Sequence, residues 1–228
     1  MRVKREICVF SDNDWSKKSA KFIQNLIKKN CKSNSINLIL TGGRSALEVY
    51  KNIDKRYFDN TKYNIFLTDE RNVEVVSKRS NYKNVLKNLF DNDLPQNVSF
   101  NPPLIKKIGL KKNLINYRKE IPKKVDLLLL TLGDDGHIAS LFPNKKYLNE
   151  TKEKVIITVE PGNFGRRISI TKGVINSARF VVVLVPGKKK GLVLSEMQSN
   201  RKIPANIIKN AFWLLNKEAF LVYSQQNF

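Results

Sequence analysis

The sequence has few of the residues that build metal centres and disulfide frameworks. Its 228 residues include one histidine, His137, and two cysteines, Cys8 and Cys31. Because a zinc site in a protein needs several histidine or cysteine ligands together, we expect no metal site. The spacing of the two cysteines fits neither a disulfide framework nor a redox motif, so both are expected to be ordinary packing residues.

Long apolar runs are also absent. No stretch approaches the roughly 20 apolar residues that a membrane-spanning helix needs, and residues 1–10 lack the longer apolar core of a signal peptide. The sequence therefore predicts a cytoplasmic protein without a membrane partner. We find no internal repeat, low-complexity tract or convincing linker, so we expect a single domain over residues 1–228.

Acidic residues are half as numerous as basic ones. The chain has 42 lysines and arginines against 20 aspartates and glutamates, a formal net charge of +22. Such a charge is compatible with nucleic acid, an anionic membrane or anionic small molecules as partners. The lysines are scattered in short runs such as Lys188–Lys190, and neither a helix-turn-helix nor an aromatic and basic stripe is visible. We expect most of this charge to be solvated surface, with the remainder attracting phosphorylated substrates rather than nucleic acid.

What the chain does contain is an alternation of short apolar runs and amphipathic segments, which is typical of α/β proteins. Strands are predicted at Glu6–Ser11, Ile36–Thr41, Asn64–Asp69, Asp126–Leu132, Val155–Val159, Arg167–Thr171 and Phe180–Val185. Helices are predicted after Asp14, a candidate N-cap, and at Ala46–Ile53, Tyr82–Phe90, Asn113–Glu120, Gly191–Gln198 and Ala205–Lys209. The pattern predicts a Rossmann-like, three-layer αβα fold with a mostly parallel central sheet, whose ligand sites lie at the carboxyl ends of strands.

Three polar segments directly follow predicted strands, and a parallel sheet would bring them to one edge. The first is the turn Gly42-Gly43, followed by Arg44 and Ser45 at the start of a helix. Glycines let the backbone approach an anion, and the N–H groups of a helix start can hold phosphate, with Arg44 or Ser45 as a further donor. A Gly-Gly turn also occurs for structural reasons alone, so both interpretations stay open here.

The second segment joins charged residues to an apolar strand. Asp69, Glu70 and Arg71 follow it directly, and Ser80-Asn81 stands at the next helix start. Arg71 is a candidate clamp for a phosphate or carboxylate, while Asp69 and Glu70 are candidates to hold sugar hydroxyls or to orient Arg71. A surface cluster of ion pairs explains the same spacing equally well.

The third segment carries His137, which follows a buried-type strand, Gly133, Asp134, Asp135 and Gly136. An imidazole titrates near neutral pH, and an adjacent carboxylate fixes its tautomer, as a general base requires. We therefore predict a catalytic His137. A serine nucleophile at Ser140 is an alternative, but the segment lacks a Gly-x-Ser-x-Gly elbow, so water is the expected attacker.

Two later basic positions are candidate anion contacts. Arg167 lies at the start of a predicted strand, and Lys190 lies between a strand and the next helix. Positive charge near the carboxyl end of a strand suits a phosphorylated sugar, although each residue has a purely solvated interpretation as well.

At these residues the sequence resembles the 6-phosphogluconolactonase family, within the larger group of sugar isomerases that resemble glucosamine-6-phosphate deaminase. The resemblance covers nearly the whole chain. Its segments are, in order, Gly42-Gly43, Asp69–Val73 with Ser80-Asn81, Asp135–Pro143, Arg167–Thr171, Gly187 with Lys190, and the region of Pro204-Ala205 and Trp213. Arg71 and the Ser140–Pro143 run favour the lactonase branch over the deaminases, whereas Arg44, Ala46, Thr68 and Asn216 depart from the usual family residues.

The resemblance implies hydrolysis of 6-phospho-D-glucono-1,5-lactone to 6-phosphogluconate in the oxidative pentose phosphate pathway, by a monomer or homodimer without a cofactor. The implied catalytic residues are His137, Asp135 and Arg71. The implied substrate-binding residues are Gly42, Gly43, Arg44, Ser45, Asp69, Glu70, Ser80, Asn81, Gly136, Arg167 and Lys190. The alternatives are a glucosamine-6-phosphate deaminase or isomerase, and a non-catalytic phosphosugar-binding protein.

Overall fold

The computed structural model describes residues 4–104, 109–163 and 165–225. These residues contain ten strands: β1 (Lys4–Phe10), β2 (Ser35–Leu40), β3 (Lys62–Leu67), β4 (Asp69–Arg71), β5 (Val98–Asn101), β6 (Leu127–Thr131), β7 (Val155–Val159), β8 (Arg166–Ile170), β9 (Phe180–Val185) and β10 (Asn210–Asn216). The α-helices of the same residues are α1 (Trp15–Asn30), α2 (Arg44–Tyr50), α3 (Asn81–Phe90), α4 (Leu110–Glu120), α5 (Lys172–Ser177), α6 (Lys188–Glu196) and α7 (Lys217–Gln225). Short 3₁₀ helices lie at Asp12–Asp14, Lys55–Phe58, Lys146–Asn149, Pro161–Asn163 and Pro204–Ile207.

The main sheet is parallel and lies between two layers of helices. Its strand order is β1-β10-β9-β6-β2-β3-β5. Successive residues of β6 point to opposite faces, so Leu128 and Leu130 join one core cluster while Leu127 and Leu129 join the other. Helices α4 to α7 pack in the first cluster and α1 to α3 in the second. The predicted three-layer α/β fold is confirmed.

The order of the strands reverses between β2 and β6. These strands pair through Leu38 with Leu127 and Ile39 with Leu128, but the chain leaves β2 towards β3 and later leaves β6 towards β9. The loops that follow the two strands therefore diverge to opposite sides and leave a crevice between them. Such a switch point is where open α/β sheets bind their ligands.

A small antiparallel sheet, β4-β8-β7, stands beside this crevice. The predicted strand Asn64–Asp69 is in fact two strands, because Thr68 links the two sheets. Its N–H donates to the carbonyl of Leu40 in the main sheet (2.8 Å), and its carbonyl accepts from Ile170 N in the small one (2.8 Å). The strands predicted at residues 155–159 and 167–171 exist, but they belong to this second sheet.

Three local features differ from the predictions. The helix predicted at Ala205–Lys209 is wrong, since a 3₁₀ turn over Pro204–Ile207 ends in extended backbone at Ile208 and β10 follows. Asp14 occupies the N-cap position of α1, but its side chain makes no capping bond and instead accepts from the Ser11 hydroxyl (3.2 Å). The strands β5 and β10 and the helices α5 and α7 were not predicted.

Within the described part of the chain, no helix combines the length and the apolar character needed to cross a bilayer.

Candidate active site

An open cleft of about 930 Å³ lies at the switch point. It brings together nine of the fourteen predicted site residues: Gly42, Gly43, Arg44, Ser45, Arg71, Asp135, His137, Arg167 and Lys190. The three polar segments that follow predicted strands do therefore meet at one edge of the sheet. The remaining five, Asp69, Glu70, Ser80, Asn81 and Gly136, are buried behind the wall of the cleft.

His137 and Asp135 form a pair at the mouth of the loop after β6. The Nδ1 atom of His137 lies 2.5 Å from Oδ1 of Asp135, which also accepts from the backbone N–H of His137 (3.1 Å). Burial alone would raise the pKa of Asp135, but the hydrogen bonds and charge of His137 outweigh it and lower that pKa. The ionised carboxylate therefore holds the proton of the ring on Nδ1 and leaves Nε2 as the proton acceptor.

Two glycines shape the loop that presents His137. A Cβ atom at Gly133 would clash with the ring of His137, so the bare backbone lets the imidazole lie against it. Gly136 has a φ of +80°, and a Cβ there would lie 2.5 Å from Ile203 Cγ2. Gly136 is therefore required by the conformation of the loop, and its predicted contact with substrate stays a prediction.

The turn after β2 packs closely on its neighbours. A Cβ atom at Gly42 would overlap the side chain of Asn81, and one at Gly43 would overlap the side chain of Thr131. Gly43 is the N-cap residue of α2, and the amides of the first helical turn, from Arg44 and Ser45, have no acceptor inside the helix. Arg44 and Ser45 line the cleft, and free N–H groups at a helix start suit an anionic ligand.

Lys190 lies in the first turn of α6 and lines the cleft together with the glycine turn after β2. Its ammonium group donates to the carbonyl oxygen of Leu132 and lies 3.5 Å from the Asp134 carboxylate. Burial lowers the pKa of Lys190, and the charge of Asp134 opposes that shift. The lysine thus brings a partly desolvated positive charge to the cleft, close to Arg44.

Arg167 lies on the opposite wall and is almost fully buried. Its Nη1 is 3.3 Å from Ser140 Oγ and 3.6 Å from Asp69 Oδ2, while Nη2 pairs with Glu160. The guanidinium carbon lies 5.6 Å from the centre of the Phe142 ring, which is itself 5.2 Å from the His137 ring. One aromatic ring therefore separates the imidazole from the arginine.

Ser140 does not act with His137 as the serine nucleophile considered from the sequence. Ser140 is fully buried, and its hydroxyl donates to Asp69 Oδ2 at 2.6 Å. Asp69 Oδ1 in turn accepts from the Thr68 hydroxyl (2.9 Å). Asp69 thus contacts both Ser140 and Arg167, which suits a supporting role, and its predicted contact with sugar hydroxyls stays a prediction.

Glu70 ties the loop after β4 to the start of α3. Its Oε1 accepts from the backbone N–H groups of Arg71 and Asn81, and its Oε2 accepts from Ser80 Oγ and Tyr82 N, at 2.8–3.1 Å. Ser80 is also the N-cap residue of α3 and accepts from Lys83 N (3.2 Å). Glu70 therefore positions the backbone of Arg71, in line with one of the alternatives left open by the sequence.

Two residues of the cleft, Glu160 and Arg79, were missed in the sequence. The Glu160 carboxylate pairs with Arg167 and lies 3.4 Å from Arg79 Nη2. The backbone carbonyl of Arg79 in turn accepts a hydrogen bond from Arg71 Nη1 (2.8 Å). Burial lowers the pKa of Arg71. No local motif marks Glu160, because it meets these arginines only through the small sheet.

Among residues 4–104, 109–163 and 165–225, no three histidine, cysteine, aspartate or glutamate side chains cluster as metal ligands.

A family profile described as "Glucosamine-6-phosphate isomerases/6-phosphogluconolactonase" matches residues 11–215. A relative named "Probable 6-phosphogluconolactonase" from Dictyostelium discoideum is 32% identical over 200 residues, covering 79% of this chain and 81% of the relative. The 6-phosphogluconolactonase of Chlamydia pneumoniae is 29% identical over 194 residues, covering 79% and 75%. The crystal structure of 6-phosphogluconolactonase from Thermotoga maritima superposes with a TM-score of 0.82 at 27% identity, covering 94% of this chain and all of that one.

Proposed function

Because this chain belongs to the family of glucosamine-6-phosphate isomerases and 6-phosphogluconolactonases, we propose that it hydrolyses 6-phosphogluconolactone with His137 as the general base. The chain is a hydrolase of the 6-phosphogluconolactonase type by its relatives. One observation carries the assignment of the base: the single imidazole of the chain, paired with Asp135, lines the cleft at the switch point of the sheet.

In the proposed reaction, Nε2 of His137 removes a proton from water while the water oxygen attacks the lactone carbonyl carbon. The electron pair of the carbonyl moves to its oxygen, where Arg71 or a backbone N–H stabilises the developing charge. The intermediate then collapses, the bond from the carbonyl carbon to the ring oxygen breaks, and the imidazolium returns its proton to that oxygen. The carboxylic acid formed then loses its proton to solvent and becomes a carboxylate. Asp135 stays ionised and stabilises the imidazolium throughout.

The phosphate group of the substrate is proposed to bind at the turn after β2. Gly42 and Gly43 allow close approach of the backbone, and Arg44 and Ser45 offer the free amides of α2. Lys190 adds a charge-assisted donor on one side, and Arg167 adds a second one from the opposite wall. The cytoplasmic location and the monomeric or dimeric state expected from the sequence stay predictions, which cell fractionation and light scattering would test.

The test is a coupled assay of 6-phosphogluconolactone hydrolysis, corrected for the spontaneous opening of the lactone. His137→Gln is expected to lose about 10²- to 10⁴-fold in kcat, because a positioned base contributes that much, with little change in KM. Since the chain offers no second histidine as a matched control, equal melting temperatures of variant and wild type would serve instead. Near-normal turnover by a folded variant would refute the role of His137.

Two further substrates test the remaining alternatives. The unphosphorylated lactone is expected to react with a much higher KM, and equal rates on both lactones would argue against a phosphate anchor. Release of ammonia from glucosamine 6-phosphate would instead support the deaminase alternative.

A further inference from the structure

Glu160 is one of three acidic side chains in a cleft rich in cations. Asp134 lies beside Lys190 and Asp135 pairs with His137, whereas Glu160 lies against arginines. The cleft is lined by Arg44, Arg71, Lys78, Arg79, Arg167 and Lys190. Glu160 follows β7, and its side chain is 23% exposed. An ionised carboxylate at this place repels an anionic ligand, so its presence needs a physical reason.

The carboxylate of Glu160 forms ion pairs with two of these cations. It pairs with Arg167 Nη2 through one oxygen and lies 3.4 Å from Arg79 Nη2 through the other. Burial alone would raise the pKa of Glu160, but its bond to Arg167 and the charges of Arg167, Arg71 and Arg79 lower it. Glu160 therefore stays ionised on the arginines at neutral pH.

Arg167 has orienting partners besides Glu160. The Nη1 atom of Arg167 is already held between Ser140 Oγ at 3.3 Å and Asp69 Oδ2 at 3.6 Å, and both partners are buried. Asp69 is fixed in turn by Thr68. The buried partners thus hold Nη1 of the guanidinium, while Glu160, which lines the cleft, holds Nη2.

The charge of the ligand changes during the proposed reaction. The lactone carries charge only on its phosphate, whereas the opened product carries a carboxylate as well. In the proposed reaction that carboxylate forms beside His137, and the ring of Phe142 lies close to both His137 and Arg167, the partner of Glu160. Repulsion from Glu160 therefore acts more strongly on the product than on the substrate.

We propose that Glu160 is a specificity-determining residue, whose carboxylate competes with the anionic groups of bound ligands for Arg167 and Arg79 and so weakens retention of the product. This inference rests on the proposed function, since it places 6-phosphogluconate in this cleft. A competing role and an orienting role of Glu160 predict opposite effects on ligand affinity when its charge is removed. Loss of an orienting contact weakens binding, whereas loss of a competitor strengthens it.

The experiment measures binding of 6-phosphogluconate and of inorganic phosphate to the full chain by isothermal calorimetry. Glu160→Gln keeps the shape of the side chain and removes its charge. We expect the dissociation constant of 6-phosphogluconate to fall on the order of tenfold, that of phosphate to fall less, and product inhibition in the lactone assay to become stronger.

Glu153→Gln is the matched control, because it makes the same change of charge outside the cleft, where Glu153 pairs with Arg118 at 3.0 Å. Equal tightening in both variants would overturn the proposal in favour of a general effect of net charge. Unchanged or weaker binding by Glu160→Gln would overturn it as well. If the wild type binds neither 6-phosphogluconate nor phosphate, the proposed function itself fails.

Discussion

His137 packs against the backbone of Gly133, and this contact restricts the position of the imidazole ring. The ring occupies the space in which any other residue would carry its Cβ atom. The backbone N–H of Gly133 also donates to the carbonyl of His137 (2.8 Å), so the two residues close one tight loop. The position of the imidazole is therefore set by its glycine neighbour as well as by Asp135.

Gly133→Ala is expected to lower kcat by about tenfold or more, because a displacement of roughly 1 Å in a positioned group costs activity on that scale. KM for 6-phosphogluconolactone should change less, since the proposed phosphate contacts lie elsewhere. The coupled lactone assay measures both constants.

Gly109→Ala is a useful comparison for Gly133→Ala. Gly109 has a φ of +83°, and a Cβ there would meet nothing within 4 Å. Alanine at Gly109 should therefore cost stability through backbone strain while leaving kcat unchanged. If Gly133→Ala keeps full turnover, the imidazole does not depend on this packing.

Where a short motif carries a residue, its place in the cleft could be predicted from the sequence. His137, Asp135 and the glycine pair stand in local patterns that follow strands, and the structure brings them to one cleft. Glu160 and Arg79 could not be found in this way, since they lie 81 positions apart in the sequence and meet only in the folded structure. Their pairing is a property of tertiary structure.

At the scale of elements, Thr68 explains the main error in the predicted strands. The apolar run through residues 64–69 reads as one strand, but its hydrogen bonds pass from Leu40 in the main sheet to Ile170 in the small one. A change of bonding partner leaves no mark on hydrophobic periodicity. The sequence therefore predicts strands of both sheets without separating one sheet from the other.

The junction of β4 with α3 depends on Glu70, whose two oxygens accept four hydrogen bonds. Glu70→Gln replaces one acceptor oxygen by an NH₂ group that faces other donors. The free energy of unfolding should fall by about 1–3 kcal/mol, the cost of leaving buried groups unsatisfied. Urea denaturation followed by circular dichroism would measure this loss.

Glu48→Gln makes the same chemical change on the surface of α2, where Glu48 pairs with Lys51 at 2.8 Å. Since exposed ion pairs contribute little, its effect should stay within about 0.5 kcal/mol. Equal stability of the two variants would show that Glu70 does not anchor the junction.

At the scale of the whole molecule, the net charge of +22 acts on every anion that approaches. A field of this kind raises the association rate of a charged substrate and is screened by salt. We expect kcat/KM for 6-phosphogluconolactone to fall several-fold between roughly 0.01 and 0.5 M ionic strength, with a smaller change in kcat.

The unphosphorylated lactone provides the control for this salt dependence, because an uncharged molecule is not steered. Its kcat/KM should be nearly independent of sodium chloride concentration. Parallel losses for both lactones would point to an effect of salt on the enzyme itself.

The bond between Ser140 and Asp69 has a consequence for the order of events in turnover. It spans 71 positions of the chain and fastens the loop after β6, which carries His137, to the start of the small sheet, which carries Arg71 and Arg167. The two walls of the cleft are thus joined before substrate binds. No binding free energy of the substrate is therefore needed to assemble these walls, and the imidazole is already positioned to take a proton from water.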